Sequence, residues 1–368
     1  MKRFAVFIVS LITLSLSFPV KAQYISAKAA VLISADTGEV LYALNSEQRL
    51  PMASTTKIMT ALIVLQNGDL DKTVTITNEM IAVEGTSMGL SCGDILTRKD
   101  LLCGMMLVSG NDAANALAVS VGGSYDRFVA LMNKKAAELG LENTHFETPS
   151  GLDGDSHYTS AYDLAVITKE ALAFDEFASI VATESMSVSY GDPPCKRYLT
   201  NHNKLVKMYS DVKGVKTGFT KKSGRCLVSA AEKDGKRIIA VTLNDPNDWE
   251  DHRKLLDLGF SSLKVEDIRG LTVSLPVVGS DERIKVVTPK KEICVSKDKT
   301  VGERIIVPAF LYLPVRKGDV IGYTEYYVGE EVYLKEKIVS ETDIKYKKDT
   351  FKSLWLIFSE IFRCINEG

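Results

Sequence analysis

Residues 51–65 read Pro51-Met52-Ala53-Ser54-Thr55-Thr56-Lys57-Ile58-Met59-Thr60-Ala61-Leu62-Ile63-Val64-Leu65. The run after Lys57 has no polar stripe, which is typical of a helix that is buried on all sides. Lys57 is therefore predicted at the start of a core helix, with Ser54 one turn earlier on the same face. Because helical side chains lean toward the N-terminus, the Lys57 amine is expected to reach the Ser54 hydroxyl. A serine with a base in reach is the arrangement of an activated nucleophile.

The Ser-x-x-Lys pattern is not specific by itself, because it occurs four times in the chain. The other copies begin at Ser210, Ser261 and Ser296. In the alternative interpretation, Ser54 is an ordinary helix N-cap and Lys57 lies in solvent. The long apolar run behind this copy favours the buried pair.

Composition describes a folded protein long enough for two domains. The chain has 368 residues, of which 45% are hydrophobic and 25% charged, so it has no signature of disorder. The formal net charge is −2; removing residues 1–22 takes away three positive charges and no negative ones, which leaves −5. Nothing in this balance indicates a nucleic-acid partner.

The first 22 residues are predicted to be a signal peptide. Lys2 and Arg3 precede an apolar run over residues 4–18, and Val20-Lys21-Ala22 resembles a cleavage site. An uncleaved membrane anchor is the alternative, but the run is short for a span. In both cases the body of the protein is expected outside the cytoplasm.

The next elements predict an α+β domain over residues 23–263. Residues 29–35 and 39–44 form a predicted hairpin around Asp36-Thr37-Gly38. Helices are predicted to dominate from residue 54 to about 184, but residues 66–97 are mixed and turn-rich. Within them, Gly85-Thr86-Ser87-Met88-Gly89 is taken as a loop rather than as a nucleophile elbow. Strands are predicted at residues 212–220, 225–231 and 237–243, and a helix follows over 247–258. The last two strands are predicted to form a hairpin across Asp234-Gly235, a dipeptide favoured in hairpin turns. Strands on both sides of a helical block predict one antiparallel sheet covered by helices.

The last hundred residues differ in character. Residues 264–344 contain short β-branched runs separated by turns, which predicts a small all-β domain. Residues 345–368 begin with lysines and continue into a helix whose apolar stripe spans residues 351–365. We expect this C-terminal amphipathic helix to attach to a membrane surface; packing of the stripe against the protein itself is the alternative.

Two further motifs complete a candidate site. Ser109-Gly110-Asn111 lies between two predicted helices and can place a hydroxyl and an amide in a cleft. Lys216-Thr217-Gly218 lies in a predicted strand, where Gly218 would allow a substrate backbone to approach closely. Lys222-Ser223-Gly224, a similar triplet nearby, is more turn-like and is rejected.

Ser54-Thr55-Thr56-Lys57, Ser109-Gly110-Asn111 and Lys216-Thr217-Gly218, in this order, resemble the S-x-x-K, S-x-N and K-T-G motifs of the penicillin-recognising serine acyl enzymes. The closer resemblance is to the low-molecular-mass penicillin-binding proteins that act as D-alanyl-D-alanine carboxypeptidases. It covers nearly the whole mature chain, including the β-rich second domain and the amphipathic tail. The fold that it implies is the transpeptidase/β-lactamase-like domain.

The resemblance implies a reaction on peptidoglycan pentapeptide stems, with β-lactam antibiotics as covalent inhibitors and no cofactor. Ser54 attacks the bond between the two terminal D-alanines, Lys57 accepts its proton, and Ser109 relays a proton to the leaving amine. Asn111 orients Lys57 and the substrate. Lys216 and Thr217 hold the terminal carboxylate, with Gly218 beside them, and the backbone N–H groups of Ser54 and Phe219 bind the oxyanion. The enzyme would lie at the outer face of the cytoplasmic membrane.

Other chemistries are less well supported. The six cysteines have long, irregular spacings, so neither a disulfide framework nor a zinc site is predicted, and Cys103 and Cys226 are expected to be buried thiols. None of the four histidines lies in a recognisable triad motif, and no metal is needed. A serine β-lactamase and a non-catalytic envelope-binding protein are the alternative functions; the sequence lacks the E-x-x-L-N pattern of class A β-lactamases.

Overall fold

The computed structural model describes residues 24–345, and the helices and strands that follow all lie within that range. The α-helices are α1 (Lys57–Gln66), α2 (Asn78–Ile81), α3 (Arg98–Leu107), α4 (Asn111–Gly122), α5 (Tyr125–Glu138), α6 (Ala161–Leu172), α7 (Asp175–Ala182), α8 (Lys204–Met208) and α9 (Asp248–Ser262). The strands before α9 are β1 (Ala29–Ser34), β2 (Val40–Leu44), β3 (Thr73–Thr75), β4 (Ile95–Thr97), β5 (Ser185–Tyr190), β6 (Cys195–Thr200), β7 (Val212–Thr220), β8 (Gly224–Lys233) and β9 (Lys236–Leu243). The strands after it are β10 (Leu263–Ile268), β11 (Thr272–Val278), β12 (Arg283–Val287), β13 (Lys291–Ser296), β14 (Val301–Ile306), β15 (Leu311–Tyr312), β16 (Val320–Val328) and β17 (Glu331–Val339).

One five-stranded sheet brings the N-terminal hairpin together with the three strands over residues 212–243. Its order is β2-β1-β9-β8-β7, and all neighbours are antiparallel. β8 and β9 are joined by Asp234 and Gly235, which both have positive φ (52° and 73°), as a two-residue hairpin turn requires. β7 lies at the edge of the sheet, so its outer backbone groups face away from the other strands.

Both faces of this sheet are buried. Val31 and Ile33 of β1 contribute to the core that contains α1, whereas Ala30 and Leu32 point to a second core that contains residues of α9. This follows from the alternation of side chains along a strand. Helices therefore cover the sheet on both sides, and the expected antiparallel sheet covered by helices is confirmed.

Helix α1 is the central helix of the larger core. All of its residues from Lys57 to Leu65 are buried, as the apolar run predicts, and a 3₁₀ turn (Ala53–Thr56) leads into it. α1 packs against α6 and α4, so its first turn is held between the sheet and the helical block. A lysine at this position is unusual, since an ammonium group loses its hydration there.

The β-rich region is attached to the N-terminal hairpin by polar contacts. Cys294 of β13 accepts a hydrogen bond from Ser34 Oγ at 3.1 Å and donates its N–H to the Asp36 carboxylate at 3.1 Å. Ser296 donates to Glu39 through its hydroxyl and its N–H (2.5 and 3.2 Å). These bonds fix β13 against one end of the main sheet.

One hairpin does not follow from the sequence pattern. The sequence predicts no element between residue 184 and β7, but β5 and β6 form an antiparallel pair there. Only Leu199 of β6 is buried, so this strand lacks the alternation that reveals a half-buried strand. Tyr190 at the end of β5 donates a hydrogen bond to the Met88 carbonyl at 2.5 Å, which ties the hairpin to the 85–89 segment. That segment is a loop, as predicted.

The remaining predictions concern thiols and membrane segments. Cys103 and Cys226 are buried free thiols, as expected, and burial raises their pKa to about 12 and about 11. The predicted signal peptide (1–22) and the apolar stripe (351–365) lie outside the described residues. Among the described helices, none combines the length and the apolarity needed to cross a bilayer.

Candidate active site

Ser54 and Lys57 lie where the 3₁₀ turn meets α1. The Lys57 Nζ atom is 3.0 Å from Ser54 Oγ. Lys57 is fully buried, whereas Ser54 is half-buried and lines a cleft of about 390 Å³. The predicted side-chain contact is present, and one of its two partners is open to a ligand.

The Lys57 amine also donates to two buried acceptors. These are Asn111 Oδ1 at 2.7 Å and the Ser150 carbonyl at 2.6 Å. The orientation of the Asn111 amide is fixed by its other end, since Asn111 Nδ2 donates to the Glu84 carbonyl at 2.7 Å. A neutral amine has two N–H bonds and one lone pair. With the two N–H bonds directed at Asn111 and Ser150, the lone pair would point toward the third neighbour, the Ser54 hydroxyl.

The electrostatic surroundings favour that neutral amine. Burial is the main cause that places the pKa of Lys57 well below its usual range, and the charge of Lys216 lowers it further; the charge of Asp112 opposes the shift. Burial also lowers the pKa of Lys216, to about 7. Lys57 is therefore able to accept a proton near neutral pH, which an exposed lysine is not.

The Ser109-Gly110-Asn111 turn enters the site between α3 and α4. Ser109 has a positive φ of 61°, is buried and lines the cleft. Its carbonyl accepts a hydrogen bond from Thr86 Oγ1 (2.7 Å), and the Asn111 N–H donates to the Thr86 carbonyl (2.7 Å). The 85–89 loop therefore holds this turn in place from the other side.

Asp112 is a positioning residue that the sequence did not reveal. Its buried carboxylate accepts hydrogen bonds from the Ser87 hydroxyl (2.5 Å) and from the N–H groups of Met88, Gly89 and Leu90 (3.0–3.1 Å). In sequence it looks like an ordinary acid in the first turn of a helix. Its role depends on a loop more than twenty residues earlier in the chain.

β7 forms the opposite wall of the cleft. Thr217 and Gly218 line it, and Phe219 is 67% exposed at its mouth. A Cβ atom at Gly218 would lie 3.1 Å from the Ser54 backbone nitrogen, so a larger residue would push the strand away from the nucleophile. Lys216 is buried behind them and donates to the Thr217 carbonyl at 2.9 Å. The three motifs predicted from the sequence thus converge on one cleft.

Sequence reasoning missed a cation at the cleft. Arg225 of β8 lies directly opposite Phe219 in the strand pairing and lines the cleft. Its guanidinium group makes an ion pair with Asp248 at 2.8 Å and lies 5.4 Å from the centre of the Trp249 ring. The hairpin register could have placed Arg225 beside the K-T-G segment, but its partners come from α9.

The histidines either form hydrogen bonds within the fold or line the cleft. His157 contacts Thr56 Oγ1 at 2.8 Å and accepts from the Glu147 N–H at 2.9 Å, and burial lowers its pKa to about 4. His252 bonds to Thr242 and Ser229, and burial lowers its pKa to about 3. His202 lines the cleft. Within residues 24–345 there is no group of three or more His, Cys, Asp or Glu side chains able to hold a metal ion.

Comparisons with known proteins agree with this geometry. A family model described as "D-alanyl-D-alanine carboxypeptidase" matches residues 17–247. The chain is 35% identical to D-alanyl-D-alanine carboxypeptidase DacF of Bacillus subtilis over 335 residues, which covers 87% of this chain and 86% of that protein. It is 32% identical to DacC of Escherichia coli, with 88% and 85% covered.

Solved structures give the same result. Penicillin-binding protein 5 of Haemophilus influenzae matches with a TM-score of 0.67 and 29% identity, over 89% of this chain and 99% of that one. The Streptomyces K15 DD-transpeptidase matches with a TM-score of 0.62 and 34% identity, over 65% of this chain and 98% of that one. The second structure corresponds to a shorter part of the chain than the first.

Proposed function

The chain belongs to the family of D-alanyl-D-alanine carboxypeptidases, and on this basis we propose that Ser54 is the nucleophile of a serine peptidase reaction on peptidoglycan stem peptides. The observation that carries this assignment is the contact between Ser54 Oγ and a fully buried Lys57 amine. The amine is surrounded by acceptors and by a second lysine, so it is suited to act as the general base.

In the first half of the reaction, Lys57 takes the Ser54 proton as Oγ attacks the carbonyl carbon between the two terminal D-alanines. The backbone N–H groups of Ser54 and Phe219 stabilise the oxyanion, a contribution of roughly 10²–10³ in rate for one such donor. The carbon–nitrogen bond then breaks as Ser109 gives its hydroxyl proton to the leaving amine and takes a proton from the Lys57 ammonium, which returns Lys57 to its neutral form. D-Alanine departs and leaves the shortened peptide as an ester on Ser54.

In the second half, water hydrolyses this ester. Lys57 again accepts the proton, now from water, and returns it to Ser54 Oγ as the acyl group leaves. Asn111 keeps the amine in position through both halves by its 2.7 Å hydrogen bond. The edge position of β7 leaves backbone groups beside Thr217 for an extended peptide to pair with.

The direct test is D-alanine release from a muramyl pentapeptide, with and without benzylpenicillin. We expect release of one D-alanine per stem, inhibited by penicillin, with a long-lived adduct on a peptide that contains Ser54. Rapid hydrolysis of penicillin without a lasting adduct would instead support the β-lactamase alternative. A folded protein that releases no D-alanine and takes up no penicillin would be a non-catalytic binding protein.

Arg225 is proposed to share recognition of the substrate's terminal carboxylate with Lys216 and Thr217. It is the cleft-lining arginine paired with Asp248, and the ion pair together with Trp249 restricts where its remaining N–H groups point. Hydrogen bonds to a charged group contribute ~1.5–3 kcal/mol, roughly 10- to 100-fold in affinity.

Arg225→Gln should therefore raise KM for a peptide with a free terminal carboxylate by roughly tenfold or more, because a charge-assisted contact is lost. The same peptide with a terminal amide should be little affected, and the ratio of kcat/KM for the two peptides measures the effect. Arg237→Gln is the matched control, since Arg237 is paired with Asp36 at 2.7 Å, outside the cleft lining. Equal losses on both peptides would assign Arg225 to structure alone.

We also propose that the protein is exported and attached to the outer face of the cytoplasmic membrane through residues 351–365. Support comes from the apolar stripe of that segment and from the lysines before it, Lys345, Lys347 and Lys348. A chain that ends at Lys345 should remain active on dissolved peptide but should no longer sediment with anionic vesicles. Equal sedimentation of the long and short chains would contradict this attachment.

A further inference from the structure

The β-rich region exposes an apolar loop. Residues 307–314 read Val-Pro-Ala-Phe-Leu-Tyr-Leu-Pro, eight consecutive residues without a charge. Phe310 is 43% and Tyr312 68% exposed, and the residues between and around them include exposed Pro308, Ala309 and Pro314. Contiguous exposed apolar surface of this kind is typical of sites that bind a protein partner, a ligand or a membrane.

The loop is held in a fixed conformation. Leu311 and Tyr312 form β15, which pairs in parallel with Val277 and Val278 of β11. Leu313, just beyond β15, is buried in the small core beneath the loop. The Phe310 and Tyr312 rings pack edge to face, with centroids 5.3 Å apart. The loop therefore presents two aromatic rings on an anchored backbone.

The chain leaves the described structure beside this loop. Ile344 and Val315 form an antiparallel bridge with two hydrogen bonds of 3.0 and 2.8 Å. Because the two segments run in opposite directions, the step from Ile344 to Lys345 goes toward Pro314, the end of the loop. The proposed membrane-binding tail thus starts where the apolar loop ends.

Charges around the loop are mixed. Arg316, Lys317 and Lys345 are exposed there. Two carboxylates lie beside them, since Asp319 accepts the backbone N–H of Arg316 and Asp343 accepts the backbone N–H of Lys317, at 2.8 Å each. The turn after β11 adds exposed Asp281 and Glu282. The loop itself therefore offers apolar contact rather than a strong electrostatic attraction.

We propose that the 307–314 loop is a second membrane-contact site, which inserts the Phe310 and Tyr312 rings into the interface of the lipid bilayer beside the C-terminal tail. The inference rests on the membrane attachment proposed above. Tyrosine, an aromatic ring with one polar end, is favoured at that interface, and the chain continues from Lys345, beside the loop, toward the segment proposed to bind the membrane. A bilayer is therefore the apolar surface that we assign to the loop. Two contacts on one surface bind more tightly than either alone and restrict the orientation of the catalytic cleft.

The test measures binding of the full mature chain to vesicles of phosphatidylethanolamine and phosphatidylglycerol. Phe310→Ser with Tyr312→Ser should weaken binding by on the order of tenfold, because apolar area no longer leaves water. The matched control is Tyr198→Ser with Met208→Ser, which removes two more exposed apolar side chains (76% and 57%) from β6 and from the end of α8. D-Alanine release from dissolved peptide, measured on the same samples, should be unchanged in both variants.

A second measurement locates the loop. Phe310→Trp in a Trp355→Phe background should show fluorescence that brominated lipids quench, compared with Trp355→Phe alone. If the chain binds vesicles but Trp at 310 is not quenched and the double serine variant binds equally well, the loop proposal is wrong and tail attachment stands.

Other occupants give distinct outcomes, and each overturns the proposal. Without vesicles, the side chain at position 310 could be shielded from solvent in the full chain and exposed in the chain that ends at Lys345. That result would mean that the tail covers the loop. Self-association lost in the double serine variant would mean that a second copy does so. A full chain that does not bind vesicles at all overturns both attachment and loop, while D-alanine release reports independently on the catalytic function.

Discussion

Ser54→Ala should abolish measurable D-alanine release, with a loss of about 10⁶ in kcat, the size of effect seen when a nucleophile that acts as a unit with its base is removed. Alanine has no oxygen to form the acyl-enzyme, and the neighbouring groups bind substrate without reacting with it. The variant should still bind the peptide, because the K-T-G segment and Arg225 are intact. The measurement is release of D-alanine together with mass spectrometry for a penicillin adduct.

The chain supplies a matched control for this experiment. Ser210 and Lys213 repeat the Ser-x-x-Lys pattern, but Lys213 is exposed and donates to the Ser210 carbonyl rather than to its hydroxyl. Ser210→Ala should therefore leave activity and penicillin labelling unchanged. A Ser54→Ala protein that still forms the adduct would place the nucleophile elsewhere.

Lys57→Arg should have the second-largest effect, a fall of roughly 10²–10⁴ in the rate of acylation, as expected for loss of a general base. Arginine places a permanent positive charge at this position, where the lysine is expected to be neutral, and does not release its proton in the physiological range. Lys213→Arg is the control at the equivalent place in the exposed copy of the pattern. Pre-steady-state labelling by penicillin measures the acylation step directly.

The pH dependence separates the role of Lys57 as a base from a role in packing. If Lys57 is the base as proposed, it acts when neutral, so acylation should rise with pH through a pKa that burial places well below the usual range of lysine. Lys216 loses its charge as pH rises through about 7, which should weaken its proposed attraction for the substrate carboxylate, so kcat/KM should fall on the alkaline side. A rate that keeps rising to about pH 10.4 would show that Lys57 retains an ordinary pKa.

The sequence predicted those parts of the site that lie close together along the chain. Ser54 and Lys57 are one helical turn apart, and the apolar run behind Lys57 is a local signal, so both the helix and the contact could be predicted. The β8–β9 hairpin followed from Asp234-Gly235 for the same reason. The convergence of the three motifs came from the family resemblance rather than from any local pattern.

The parts that were missed depend on contacts between distant segments. Asp112 organises the 85–89 loop, and Arg225 is oriented by Asp248 and Trp249 from another element. Each of these residues has an ordinary local context, an acid in a first helical turn or an arginine at the start of a strand. The β5–β6 hairpin was missed because β6 buries only Leu199 and so lacks the alternation that would indicate a strand.

The position of β1 between β2 and β9 affects how the protein is made. β1 is among the first described elements of the chain, yet one of its two neighbours in the sheet is β9, which begins at Lys236. During synthesis the sheet cannot close until that residue has emerged, and pairings this far apart in sequence form slowly. The first part of the chain therefore stays without its sheet partner for most of translation. Late closure of this kind is compatible with the export proposed above, in which the polypeptide would cross a membrane before it folds.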